Sequence, residues 1–189
     1  MNLPTQITLS RLVGLPLILY WLQDPTPTTR WLSLVVFLMT ALTDWLDGYL
    51  ARKLNQVTEL GKFLDPLVDK LLVLGPLLAF IELGQVPAWG VFLILGRELA
   101  IAGWRINPQL TGSSTISGAS IWGKLKTVSQ IIAIALLIAP LPVLQKEGII
   151  AFWVAVALTL ISGIIYIWPW SISSSREKST SALSPPEGR

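Results

Sequence analysis

Residues 44–69 read DWLDGYLARKLNQVTELGKFLDPLVD, and they set four carboxylates, Asp44, Asp47, Asp65 and Asp69, into segments that otherwise have the composition of membrane helix. An Asp at the centre of a membrane helix costs roughly 2.5–3.5 kcal/mol, so four in one neighbourhood require a compensating cation or an aqueous pocket. We read them as a metal site. Asp44, Asp47, Gly48 and Ala51 fall at i, i+3, i+4 and i+7, one face of an α-helix, and Gly61, Asp65 and Asp69 follow at i, i+4 and i+8 on a second. The short polar turn at 53–60 predicts that the two helices lie antiparallel, with both Asp pairs facing one space. Oxygen ligands without Cys or His favour a hard cation, Mg²⁺ or Mn²⁺. Gly48 and Ala51 leave room for a bulky ligand close to the backbone, and Arg52 stands where a phosphate needs a partner.

The rest of the chain has the character of a membrane protein. Its 189 residues are 52% hydrophobic and 13% charged, with a mean hydropathy of +0.64, which is too apolar for an ordinary soluble domain. Without Cys there is no disulfide or thiol chemistry, and without His the commonest general base is missing, leaving Asp, Glu, Lys and Tyr for proton transfer. The start, MNLPTQITLSR, has neither a basic n-region nor a small-residue cleavage site and is not read as a removable signal.

Hydropathy and turn residues predict an all-α integral membrane protein with six transmembrane helices, over 7–22, 31–50, 61–83, 88–104, 124–140 and 149–168. The connections are a loop at 23–29, a tight turn at 84–87 and a polar loop at 107–120. Residues 1–170 then form one transmembrane catalytic domain, and 171–189 a disordered cytoplasmic tail rich in Ser, Pro and charge. Pro66 is expected to kink or loosen the third helix. Lys and Arg gather on the side shared by the termini and the Asp stretch, whereas the opposite loops hold only Arg30 and Lys146, so that side is cytoplasmic. Trp21, Trp31, Trp89, Trp104, Trp122, Trp168 and Trp170 lie near the expected span ends, as interfacial anchors do.

A second polar cluster follows on the fourth and fifth spans. Arg97 and Arg105 are eight apart and share one side of a helix, Glu98 precedes Arg105 by seven on a common face and is expected to orient it, and Lys124 and Lys126 open the next span. A basic pocket beside a carboxylate-bound metal pair suits a phosphorylated acceptor.

Written as a pattern, the opening stretch is D-x2-D-G-x2-A-R-x8-G-x3-D-x3-D, which resembles without gap or substitution the signature of the CDP-alcohol phosphotransferases, membrane enzymes that build phospholipids from a CDP-linked donor. The segments GKFLDPLVDKLLV, GRELAIAGWR and GKLKT, and the start NLPTQITLSR with Asn2, Pro4, Thr8 and Arg11, resemble the phosphatidylglycerophosphate synthase branch, so the likeness reaches to about residue 127. The resemblance implies a bundle of that family's kind in which Asp44, Asp47 and Asp65 hold two divalent cations, while Asp69 touches the second and serves as general base. It implies that Gly48, Ala51, Arg52 and Gly61 border the CDP donor, with Arg97, Arg105 and Lys124 on the acceptor phosphate. The substrates implied are CDP-diacylglycerol and sn-glycerol 3-phosphate, and the products phosphatidylglycerophosphate and CMP. A bacterial-type plasma membrane or its equivalent is the expected location, a homodimer is implied by the same likeness, and no nucleic-acid partner is expected.

Blander readings exist for the same residues. Single intramembrane Asp residues can be structural partners of Lys70, Arg97 or Arg52, and Lys124 and Lys126 can be ordinary positive-inside residues. The acceptor can instead be inositol phosphate, serine or a second phosphatidylglycerol, although the basic cluster favours a phosphorylated one. A cation transporter or channel lined by Asp is the rival from another class, and it has no use for Gly48, Ala51 and Arg52 at fixed places.

Overall fold

The computed structural model describes the backbone of residues 3–54, 59–106 and 121–181, and the side-chain surroundings of residues 11–43, 66–103 and 122–165. Over those residues the chain is all-α, with helices α1 (Leu3–Gln23), α2 (Pro27–Leu54), α3 (Glu59–Glu82), α4 (Ala88–Ile106), α5 (Ile121–Ile138) and α6 (Pro142–Ser181). The polar loop expected at 107–120 lies outside the described residues, as do 182–189.

Several helix boundaries differ from the sequence expectation: α1 begins at Leu3, α2 at Pro27 and α6 at Pro142, so that Arg30 and Lys146, expected in loops, stand in helices. Two differences have local reasons. Pro27, placed in a loop by the sequence, opens α2. Thr26 and Thr29 cap its start reciprocally: the Thr29 N–H donates to Thr26 Oγ1 at 3.2 Å and the Thr26 N–H to Thr29 Oγ1 at 2.9 Å. A Pro at the first helical position forfeits only an N–H that has no intrahelical partner there. At the other end of the chain, α6 continues to Ser181, past Pro169, where the sequence ends the last span and begins a tail. Extending a helix that is already formed needs no new nucleus, and Arg176, Glu177 and Lys178 are good helix formers. α3 is likewise helical across both Pro66 and Pro76.

Between α3 and α4 the turn expected at 84–87 is present as a Schellman cap. The Gln85 N–H donates to the Phe80 carbonyl at 2.9 Å and the Gly84 N–H to that of Ile81 at 3.0 Å, with Gly84 at φ 67°. That left-handed conformation costs a side-chain-bearing residue energy, which is why Gly stands there.

The order of apolar and polar residues reverses from helix to helix. In α3 the polar Asp69 and Lys70 precede the buried Leu77 and Phe80, in α4 the buried Val91 and Ile94 precede Arg97 and Glu98, and in α5 Lys126 and Gln130 precede Ile134 and Leu137. Successive helices that run in opposite directions produce this alternation. It collects Ile18, Phe37, Phe80, Ile134 and Phe152, all 0–1% exposed, into one packed half. Asp69, Lys70, Arg97, Glu98 and Lys126 are left to the other half. Among the described residues one segment, Pro142–Ile165, is long and apolar enough to cross a membrane, with a hydropathy of 2.4. Large apolar side chains nevertheless remain exposed at helical spacing on other helices, among them Leu67, Leu71 and Leu78 of α3 and Leu125, Val128 and Ile132 of α5.

Candidate active site

Asp69 is the member of the acidic pattern whose side chain is described. It lies in the first half of α3, 48% exposed, with Oδ1 3.6 Å from Nη1 of Arg11, a residue of α1 whose own side chain is 2% exposed. Asp44, Asp47, Gly48, Ala51 and Arg52 belong to α2, Gly61 and Asp65 to α3, and Arg105 to α4; their side chains lie outside the described residues. The backbone still relates several of them to what is described. Ala41, one turn before Asp44 in α2, and Pro66, next to Asp65 in α3, both border the cavity that Asp69 lines.

That cavity has a volume of about 220 Å³, is open on one side, and is walled by residues of α2, α3, α4 and α5. Its polar wall comprises Asp69 and Lys70 of α3, Glu98 of α4, and Lys126, Thr127 and Gln130 of α5, while Leu72, Val73, Ile94 and Ile131 give the remainder an apolar surface.

Glu98 is the hub of the wall. Its Oε1 accepts from Arg97 Nη1 at 3.1 Å and from the Lys126 ammonium, and the three side chains are 17%, 13% and 10% exposed. Charges this far from water persist only when partnered, since an uncompensated buried ion costs several kcal/mol. Two cations on one carboxylate leave one positive charge in excess beside the cavity, which favours an anionic ligand. The Arg97 stem reaches this position because Gly163 of α6 has no side chain: a Cβ there would lie 3.0 Å from Arg97 Cγ. Behind Lys126, Gln130 Nε2 donates at 2.9 Å to Thr159 Oγ1 of α6.

The structure sorts the basic residues that the sequence grouped together. Lys126 lines the cavity, whereas Lys124 is exposed and off its wall. Two positions along a helix is a rotation of about 200°, so the two lysines face opposite ways. Periodicity holds the signal that separates them: Lys126 shares the stripe of Gln130, Ala133, Ile134 and Leu137, all buried, and Lys124 does not. Glu98, expected to orient Arg105, is instead engaged with Arg97 and Lys126. Gln130 and Thr159 entered no site expectation.

Among the described residues no three acidic side chains gather as a metal-binding group. The donor chemistry of the Asp pattern nonetheless fits a hard cation, and Asp69 at 48% exposure can present a carboxylate oxygen to one at the cavity wall.

Comparison with known proteins gives a consistent result. The family model for CDP-alcohol phosphatidyltransferase matches residues 1–161. A CDP-diacylglycerol–glycerol-3-phosphate 3-phosphatidyltransferase of Bacillus subtilis (strain 168) is 40% identical over 181 residues, covering 87% of this chain and 93% of that protein. Proteins of the same name from Rickettsia bellii (strain RML369-C) and Escherichia coli (strain K12) are 35% identical over 170 and 171 residues, covering 87% and 88% of this chain and 93% of each relative.

Proposed function

We propose, from the premise that this chain belongs to the CDP-alcohol phosphatidyltransferase family, that it transfers the phosphatidyl group of CDP-diacylglycerol to sn-glycerol 3-phosphate, giving phosphatidylglycerophosphate and CMP. The observation that carries the choice of acceptor is that Asp69, the last residue of the acidic pattern, shares one cavity wall with Glu98 and Lys126, whose cluster with Arg97 behind it carries a net positive charge. A reacting hydroxyl and the phosphate of a small polyol can then occupy neighbouring positions.

In this reading Asp69 orients the 1-hydroxyl of the acceptor and takes its proton. The hydroxyl oxygen bonds to the β-phosphorus of the donor as the P–O bond to CMP breaks, and CMP leaves with that electron pair. Asp44, Asp47, Asp65 and Asp69 would hold two divalent cations, Mg²⁺ or Mn²⁺, which when bound neutralise charge on the donor diphosphate. Gly48, Ala51, Arg52 and Gly61 border the cytidine diphosphate. The acceptor phosphate falls to Arg97 and Arg105, with Lys126 on the cavity wall taking the place that the sequence assigned to Lys124.

Six membrane-crossing helices, with both termini and the Asp stretch on the cytoplasmic side of a plasma membrane or its equivalent, complete the proposal. The exposed Leu, Ile and Val stripes supply a lipid-facing surface, and the uneven Lys/Arg distribution gives the orientation. A homodimer belongs to the same reading and is tested by native mass spectrometry in detergent.

The decisive assay incubates purified protein with CDP-diacylglycerol, Mg²⁺ and, in turn, sn-glycerol 3-phosphate, inositol phosphate, serine and phosphatidylglycerol, scoring CMP and the lipid formed. The expected result is CMP and phosphatidylglycerophosphate in equal amounts with sn-glycerol 3-phosphate, lost in excess EDTA and restored by Mg²⁺ or Mn²⁺. Faster turnover with any other acceptor overturns the assignment, and activity that survives EDTA overturns the metal requirement.

A further inference from the structure

The hydrogen bonds behind the cavity determine which atom Gln130 presents to it. Thr159 is buried, and its hydroxyl donates to the Ala155 carbonyl at 2.6 Å. With its one hydrogen committed, Thr159 Oγ1 can only accept at its contact with Gln130, 2.9 Å away. The amide nitrogen therefore faces Thr159, because the reverse orientation would press two acceptors together. What Gln130 has left is the second N–H of its amide and the acceptor Oε1, and only Oε1 can receive a hydroxyl hydrogen.

The two described carboxylates on the wall already have partners or a role. Glu98 already receives Arg97 and Lys126, and Asp69 is assigned to the attacking hydroxyl. Thr127 is exposed, and its hydroxyl turns back along its own helix to donate to the Gly123 carbonyl at 3.2 Å. Lys126 and Gln130 are separated by one helical turn, a rise of about 6 Å, which matches the scale of a three-carbon polyol phosphate. We infer that Gln130 is a specificity-determining residue for the acceptor: its Oε1 accepts a hydrogen bond from the secondary hydroxyl of the bound polyol phosphate while Thr159 holds the amide in that orientation. This rests on the proposed transfer to sn-glycerol 3-phosphate and adds a residue that tells the polyol from a plain alkanol phosphate.

The test compares sn-glycerol 3-phosphate with 3-hydroxypropyl phosphate, which keeps the phosphate and the attacking primary hydroxyl but lacks the secondary one. The wild-type protein is expected to prefer sn-glycerol 3-phosphate by about tenfold or more in kcat/KM, because the analogue leaves a buried acceptor unpaired. In Gln130→Leu that ratio falls toward one while the KM for CDP-diacylglycerol holds. Thr159→Val keeps Gln130 but removes the group that pins its amide, and it is expected to lower the ratio several-fold. This second variant reads the same quantity even if Gln130→Leu does not fold. A purely structural role would slow both acceptors alike, so an undiminished ratio in either folded variant overturns the inference, as does a wild-type protein indifferent to the secondary hydroxyl. If the wild type releases no CMP with sn-glycerol 3-phosphate, the proposed function itself fails and takes this inference with it; a changed or unchanged ratio bears on Gln130 alone.

Discussion

The two halves of this bundle are made from the same helices and solve opposite problems. In the packed half, Phe37, Phe80, Ile134 and Phe152 are 0–1% exposed and carry no polar side-chain atoms. Their contribution is contact area, and no single partner is indispensable. In the polar half, Glu98, Arg97 and Lys126 are nearly as enclosed, yet each persists because the others are there. A cavity of about 220 Å³ remains beside them. One half is specified by shape and the other by pairing, so the same kind of substitution should have different consequences in each.

That contrast orders the expected effects of mutation. Asp69→Asn should lower transfer by about a thousandfold or more, roughly 4 kcal/mol in the barrier, while circular dichroism and elution in detergent stay unchanged, since Asn can still accept from Arg11. Substantial activity in the purified variant would remove Asp69 from the chemistry. Phe152→Ala should act in the other currency, reducing unfolding free energy by about 3 kcal/mol through the hole left over Gly90. Its kcat/KM per folded molecule should hold near wild type below the melting transition, and a large loss there would mean that the halves are not separable. Lys126→Met should raise the KM for sn-glycerol 3-phosphate by about ten- to thirtyfold with little change for CDP-diacylglycerol. Equal shifts for both substrates would argue against a separate acceptor pocket. Lys124→Ala, on the exposed side of the same helix, should change either KM by less than about twofold, the size of a screened surface charge; an effect matching that of Lys126→Met would erase the distinction between them.

Much of the packed half was legible in the chain. The six helices of the described residues and the Gly84 turn follow from hydropathy and turn residues, because these are local properties. Pro27 misled for a local reason too: the same residue breaks a helix from within and begins one at its first position, and only the paired hydroxyls of Thr26 and Thr29 decide between the two. The polar half was legible as an inventory and less so as a set of pairings. Arg97, Glu98 and Lys126 all attracted notice, but the Glu98–Lys126 contact spans 28 residues and joins two helices. Same-helix spacing instead pointed Glu98 toward Arg105. Gln130 and Thr159, 29 residues apart, are a pair of neutral side chains that gain meaning only once α5 and α6 are side by side.

The Gly84 cap also measures. Asp69 lies 15 residues before that glycine and Glu98 lies 14 after it, so when the chain folds back there the two carboxylates return to nearly the same level, some 15–20 Å along each helix from the bend. The joint works as a calliper whose arms are α3 and α4. One extra residue within α4, between Ile94 and Glu98, would turn Glu98, with the cations it holds, by about 100° and carry it away from Asp69, while Val91 and Ile94 ahead of it kept their places in the core.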